Sequence, residues 1–144
     1  MRGTPSLIVA LCGLVLLHAA PAAAAAAEVR KPRAGTTFTG SPGRMEIVVG
    51  ASGLDLVAFS VPCGKTTARA ALNGVQLART RRGYELALPG KAGFTYADDD
   101  SGANGSVTLV DRFSTTGKSA RGTLWVRLAR CGTRQIRWTA RQDR

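Results

Sequence analysis

The sequence has little of the chemistry on which most small catalytic sites depend. It holds one histidine, three cysteines and nine acidic residues among 144. His18 and Cys12 lie in the first 27 residues, which we predict to be removed. The remaining chain has no histidine to act as a base for a serine or cysteine nucleophile. Two cysteines without histidine cannot complete a zinc site. We therefore expect neither an enzyme nor a bound cofactor.

Residues 1–27 have the organisation of a secretory signal peptide. Arg2 supplies the positive start, Leu7–Leu17 is an uncharged apolar core, and Ala22–Ala27 offers several cleavage positions. The apolar run is shorter than the roughly 20 residues that span a bilayer, and no second run follows it. We expect a helical signal peptide that is cleaved within Ala22–Ala27. The mature chain is then secreted to the extracellular side without a stable membrane span.

Cys63 and Cys131 are the cysteines of the predicted mature chain. An even number of cysteines in an exported protein favours a disulfide. With two cysteines, only the Cys63–Cys131 pairing is available. The alternative is a pair of buried thiols.

The mature chain predicts strands rather than helices. Glycine accounts for 17 of 144 residues, and short apolar runs alternate with polar residues between turn-forming segments. Eight to ten strands at this spacing favour an all-β fold, an antiparallel β-sandwich or alternatively a small β-barrel. Asn73-Gly74 predicts a tight hairpin turn. We expect residues 28–35, broken by Pro32, to form a flexible basic tail before a single β-domain over residues 36–142.

The second half of the chain carries a series of motifs in a recognisable order. They are Val107-Thr-Leu-Val-Asp-Arg-Phe113, Ala120-Arg-Gly-Thr-Leu124, Cys131-Gly-Thr133 and Trp138-Thr-Ala140. This order resembles a group of uncharacterised small secreted bacterial β-domain proteins with a C-terminal C-x-[TS]-x-x-x-x-W-x-A pattern. The resemblance covers about 100 residues and implies an exported β-domain with a single disulfide. It implies no catalytic residues, and Asp111 stands where the group usually has glycine.

Basic charge is concentrated near the C-terminus. Residues 112–144 contain nine basic residues and one acid, within a chain of net charge +11. Arginine binds phosphate and carboxylate groups and stacks on aromatic rings. The alternation places five residues on one outer face of two neighbouring strands, which predicts contact with an anionic polymer such as a glycan, a nucleic acid or an envelope polymer. The alternative is that these arginines only solvate the surface. The five residues are Arg121, Trp125, Arg127, Arg137 and Arg141.

Two acidic features complete the set of candidates. Asp98, Asp100 and Asn104 are candidate Ca²⁺ ligands, but their segment is more typical of a solvated turn, so we expect no metal site. Asp111 shares its strand face with Leu109 and Phe113, which is unusual for an acid. The alternative function is therefore a small hydrolase of the cell exterior that depends on this carboxylate and would need a second acid.

Overall fold

The computed structural model describes residues 28–42 and 44–144, so the predicted signal peptide lies outside the described residues. No helix in the described part has the length and hydropathy that a bilayer crossing requires. The described residues form nine strands: β1 (Thr37–Ser41), β2 (Met45–Val49), β3 (Gly53–Cys63), β4 (Thr66–Gln76), β5 (Ala78–Thr80), β6 (Gly83–Tyr96), β7 (Gly102–Phe113), β8 (Ser119–Leu128) and β9 (Gly132–Gln142).

All strand pairings are antiparallel, and the strands follow the order β4-β3-β2-β1-β9-β8-β7-β6-β5 in one sheet. The sheet folds back on itself, because β4 also pairs with β6 through Ala68↔Tyr96 and Arg69↔Thr95. Two residue pairs make this join, so the sheet is not a regular barrel. The prediction of an all-β antiparallel fold is confirmed. The strands that face one another across the core belong to one continuous sheet.

The core lies on the inner face of this folded sheet. Alternate residues of most strands point inward, as in β2, where Met45, Ile47 and Val49 are buried. The rings of Phe38 and Phe113 meet edge to face, with centroids 5.2 Å apart. Such packing adds a favourable quadrupole contact to the burial of apolar area.

Asn73-Gly74 does not form the expected hairpin turn. Both residues lie inside β4, and Gly74 has a positive φ of 65°. Glycine adopts this conformation without a Cβ clash. Asn73 pairs with Leu56 and Val75 pairs with Leu54, so β3 continues past the irregularity. The dipeptide therefore marks a distortion within a strand, where a hairpin turn was expected.

The segment that we expect to be a flexible tail is attached to the domain. The Arg30 amide donates to the Thr115 carbonyl at 2.9 Å, and the Gly35 amide donates to the Val49 carbonyl at 2.7 Å. Pro32 is buried. The proline that suggests a break in structure instead packs as an apolar side chain, and the segment lies against the loop between β7 and β8.

A disulfide joins Cys63 and Cys131, with their Cα atoms 4.8 Å apart. This bond confirms the predicted pairing. Cys63 is the last residue of β3, and Cys131 lies in the turn between β8 and β9. The bond thus connects strands that are far apart in the order of the sheet.

Candidate functional site

The five residues of the predicted anion-binding set, Arg121, Trp125, Arg127, Arg137 and Arg141, lie on one outer face of the sheet, which we call the basic face. Arg121, Trp125 and Arg127 project outward from β8, while Leu124, Val126 and Leu128 are buried. Arg137 and Arg141 project outward from β9, on either side of Thr139. The alternation of each strand produces this arrangement, and the pairing of β8 with β9 brings the two sets together.

The cross-strand register gathers four arginines. Arg112 of β7 lies opposite Arg121 of β8, and Arg121 lies opposite Thr139 of β9. Side chains directly opposite have Cβ atoms about 5 Å apart, and diagonal neighbours are about 7–8 Å apart. Arg137 and Arg141 are therefore diagonal neighbours of Arg121. We call Arg112, Arg121, Arg137 and Arg141 the arginine cluster.

One member of the arginine cluster is neutralised by a carboxylate. The Arg112 Nε–H donates to Glu85 Oε1 at 2.7 Å. Within residues 28–42 and 44–144, the other ion pairs are those of Arg130, so Arg121, Arg137 and Arg141 have no acidic partner there. Like charges at this spacing repel one another, and an anion between them would relieve that repulsion.

Two cavities adjoin the arginine cluster. The first, of about 460 Å³, lies at the loop end of the β7–β8 hairpin, and we call it the hairpin pocket. The second, of about 410 Å³, lies beside it over Gly122, and we call it the central groove. Arg112, Arg121 and Thr139 line both cavities, so the two lie side by side.

The hairpin pocket has a basic and hydroxyl-rich wall. Its arginines come from four places in the fold: the turn before β6, and strands β7, β8 and β9. No carboxylate side chain lines it. Its charged and hydroxyl-bearing residues are Arg82, Arg112, Arg121, Arg141, Ser114, Thr115, Ser119 and Thr139.

Two large apolar side chains on this face are open to solvent. Trp125 is 37% exposed and Val110 is 45% exposed, and the two are diagonal neighbours across β7 and β8. Trp125 lies between Arg121 and Arg127 along the strand. An exposed indole next to guanidinium groups provides a flat surface for a sugar ring or a base. Trp138, in contrast, is 2% exposed and belongs to the core.

Sequence reasoning missed Arg112 and Arg82. Arg112 has the same outward parity as Thr108 and Val110 in the predicted strand, so alternation alone places it on the basic face. The missing information was which strand lies beside β8. Arg82 lies in the turn between β5 and β6, and no local pattern connects it with β9.

Asp111 lies on the opposite, inner side of the same strands. It is 2% exposed, and neither carboxyl oxygen has a hydrogen-bond partner among the described residues. Burial raises the pKa of Asp111 to about 8. An acid with inaccessible oxygens cannot contact a substrate on the surface. The structure therefore offers no support for a hydrolase that acts through Asp111.

Gly122 makes room for both Asp111 and Trp138. The three residues are paired in register across β7, β8 and β9. A Cβ on Gly122 would lie 2.9 Å from Trp138 Cζ2 and 3.0 Å from the Asp111 Cα, and it would also meet the Val110 carbonyl. Glycine is therefore required at this position by close packing.

Replacing Gly122 with alanine should destabilise the fold. We expect a loss of about 2 kcal/mol in the free energy of unfolding, because the backbone of β7 and the indole must both shift. Urea unfolding at pH 6 measures this loss. Gly93→Ala is the matched control, since a Cβ there meets nothing within 4 Å. Equal stability of the two variants would contradict the packing argument.

The candidate Ca²⁺ ligands Asp98 and Asp100 lie in the turn between β6 and β7, whereas Asn104 lies inside β7. The carboxylates of Asp98 and Asp99 bind Arg130 at 3.2 and 3.1 Å, and Asn104 lies inside β7 opposite Gly93. A hydrogen bond from the Ser101 hydroxyl is the largest cause of the lowered pKa of Asp99. In the part of the chain that the structure describes, no group of three or more His, Cys, Asp or Glu side chains is placed to hold a metal ion.

Comparison of the chain with protein-family models, with curated protein sequences and with solved structures finds no match. The function is therefore inferred from the geometry of this face.

Proposed function

We propose that the protein is an exported binding module whose basic face binds an anionic polymer. The observation that carries this proposal is the cluster of Arg121, Arg137 and Arg141, which face solvent beside one another without an acidic partner in the described chain. The disulfide is compatible with an extracellular protein, since such bonds persist in oxidising compartments.

The dimensions of the face suit an extended chain. Arg121 and Arg127 are six residues apart on β8, or roughly 20 Å at the rise of a strand. Trp125 lies between them and offers a stacking surface. A polymer with regularly spaced negative charges would contact the arginines in turn, and each contact would release bound counterions. The outward positions of strands β7, β8 and β9 contain no carboxylate that would repel a negatively charged polymer.

Removing two charges from the face should weaken this binding in a way that depends on salt. For Arg121→Gln with Arg137→Gln, we expect the slope of log affinity against log salt to fall by roughly two, one for each lost contact. Retention on immobilised heparin, measured at several salt concentrations beginning at about 0.15 M, provides the affinities.

The matched control removes the same charge elsewhere. Arg44 and Arg69 are exposed and lie together near β2 and β4. Arg44→Gln with Arg69→Gln lowers the net charge equally, and we expect the slope to stay near that of the natural protein. The proposal is wrong if both double variants lose the same affinity. It is also wrong if the natural protein is retained no better than a neutral protein.

A further inference from the structure

We propose that the hairpin pocket binds the terminal phosphate monoester of an anionic polymer. This inference rests on the proposed function and names the chemical group that one part of the basic face recognises. The rest of the polymer would run from the pocket across Arg137 and Trp125 towards Arg127.

The charge of the pocket selects an anion with more than one negative charge. Four arginines line it, and Glu85 neutralises one of them by its bond to Arg112. The remaining three positive charges converge from three elements: the turn before β6, strand β8 and strand β9. A phosphate monoester carries about −1.5 to −2 at pH 7. A sulfate ester, a carboxylate or a phosphodiester brings a single charge and leaves more of the repulsion in place.

The donors of the pocket suit a tetrahedral group. Each guanidinium can donate two parallel N–H bonds to a pair of phosphate oxygens. Hydroxyls of Thr115, Ser119 and Thr139 line the same cavity, and each can donate to a further oxygen. A planar carboxylate has two oxygens and cannot use all of these donors together.

A phosphate with nearly two negative charges stands at the end of a phosphodiester polymer, because each internal phosphate carries only one. The hairpin pocket lies beside the loop between β7 and β8, and the N-terminal segment packs against that loop. Arg30 donates its amide to Thr115, and the Arg30 and Lys31 carbonyls lie near Gly117. The central groove shares Arg112, Arg121 and Thr139 with the hairpin pocket, so the polymer that follows its terminal group would extend along the groove.

The experiment compares three small probes on the complete mature protein. Methyl phosphate, dimethyl phosphate and methyl sulfate are titrated at pH 7.5 and low salt, and the arginine Nε–Hε resonances are followed by NMR. We expect methyl phosphate to bind at least tenfold more tightly than either monoanion. Methyl sulfate binding with equal affinity would overturn the assignment.

Variants locate the binding site. Arg82→Gln and Arg141→Gln should each lower the affinity for methyl phosphate about tenfold, whereas Arg69→Gln, on β4, should leave it unchanged. An equal loss in all three variants would overturn the assignment to this pocket. If heparin retention persists but methyl phosphate does not bind, the pocket assignment fails and the proposed function stands. If heparin retention is also absent, both fail.

Discussion

Replacing Asp111 with asparagine should stabilise the folded protein by roughly 5 kcal/mol at pH 8 and by little at pH 4. In the unfolded chain the carboxyl ionises near its ordinary pKa of 3.8, whereas burial holds the pKa of the folded form at about 8. Between these values the folded state binds a proton that the unfolded state has lost. The stability of the natural protein therefore falls as the pH rises from about 4 to 8. Asparagine is nearly isosteric and has no proton to lose.

Urea unfolding at pH 4, 6 and 8 tests this expectation directly. The natural protein should lose up to about 1.4 kcal/mol per pH unit through this single group, and Asp111→Asn should remove that slope. Glu46→Gln is the control, because Glu46 is an exposed acid of β2. If the slopes of Asp111→Asn and the natural protein agree, Asp111 is not a neutral buried acid.

The inward orientation of Asp111 could be predicted from the sequence, because strand alternation determines which side chains share a face. Alternation places Asp111 on the same strand face as Leu109 and Phe113, and the structure buries all three. It also places Trp125 on the same face as Arg121 and Arg127, and all three are exposed. This success has a simple cause. The side-chain period of a strand is two residues, so a single known buried residue determines the orientation of its neighbours.

Other features depend on strand pairing, which local pattern does not contain. The approach of Arg82 and Arg112 to Arg141 follows from the register of β6, β7, β8 and β9. The need for glycine at position 122 appears only when Asp111 and Trp138 are placed on either side of it. The prediction of a hairpin turn at Asn73-Gly74 is wrong because a glycine with positive φ also occurs inside a strand, as Gly74 does here. The anchoring of residues 28–36 depends on Thr115 and Val49, which are distant in sequence.

Loss of the disulfide should produce the second large effect. For Cys63→Ala with Cys131→Ala, we expect the free energy of unfolding to fall by about 4 kcal/mol, because a 68-residue loop is no longer closed in the unfolded chain. Urea unfolding of the oxidised natural protein and the double variant gives this difference. Mass measurement after alkylation, with and without reduction, verifies that both thiols of the natural protein are protected. Equal stability of the two proteins would show that the bond contributes nothing.

Combining the two changes tests whether Asp111→Asn stabilises the protein by removing ionisation or by improving packing. Gly122, beside Asp111, and Leu128, near Cys131, are six residues apart on β8, or roughly 20 Å. Effects at such a distance should add. Asp111→Asn in the disulfide-free chain should therefore recover all of the lost stability at pH 8 and almost none at pH 4. Recovery of equal size at both pH values would mean that asparagine improves packing, and that ionisation of Asp111 is not what destabilises the natural protein.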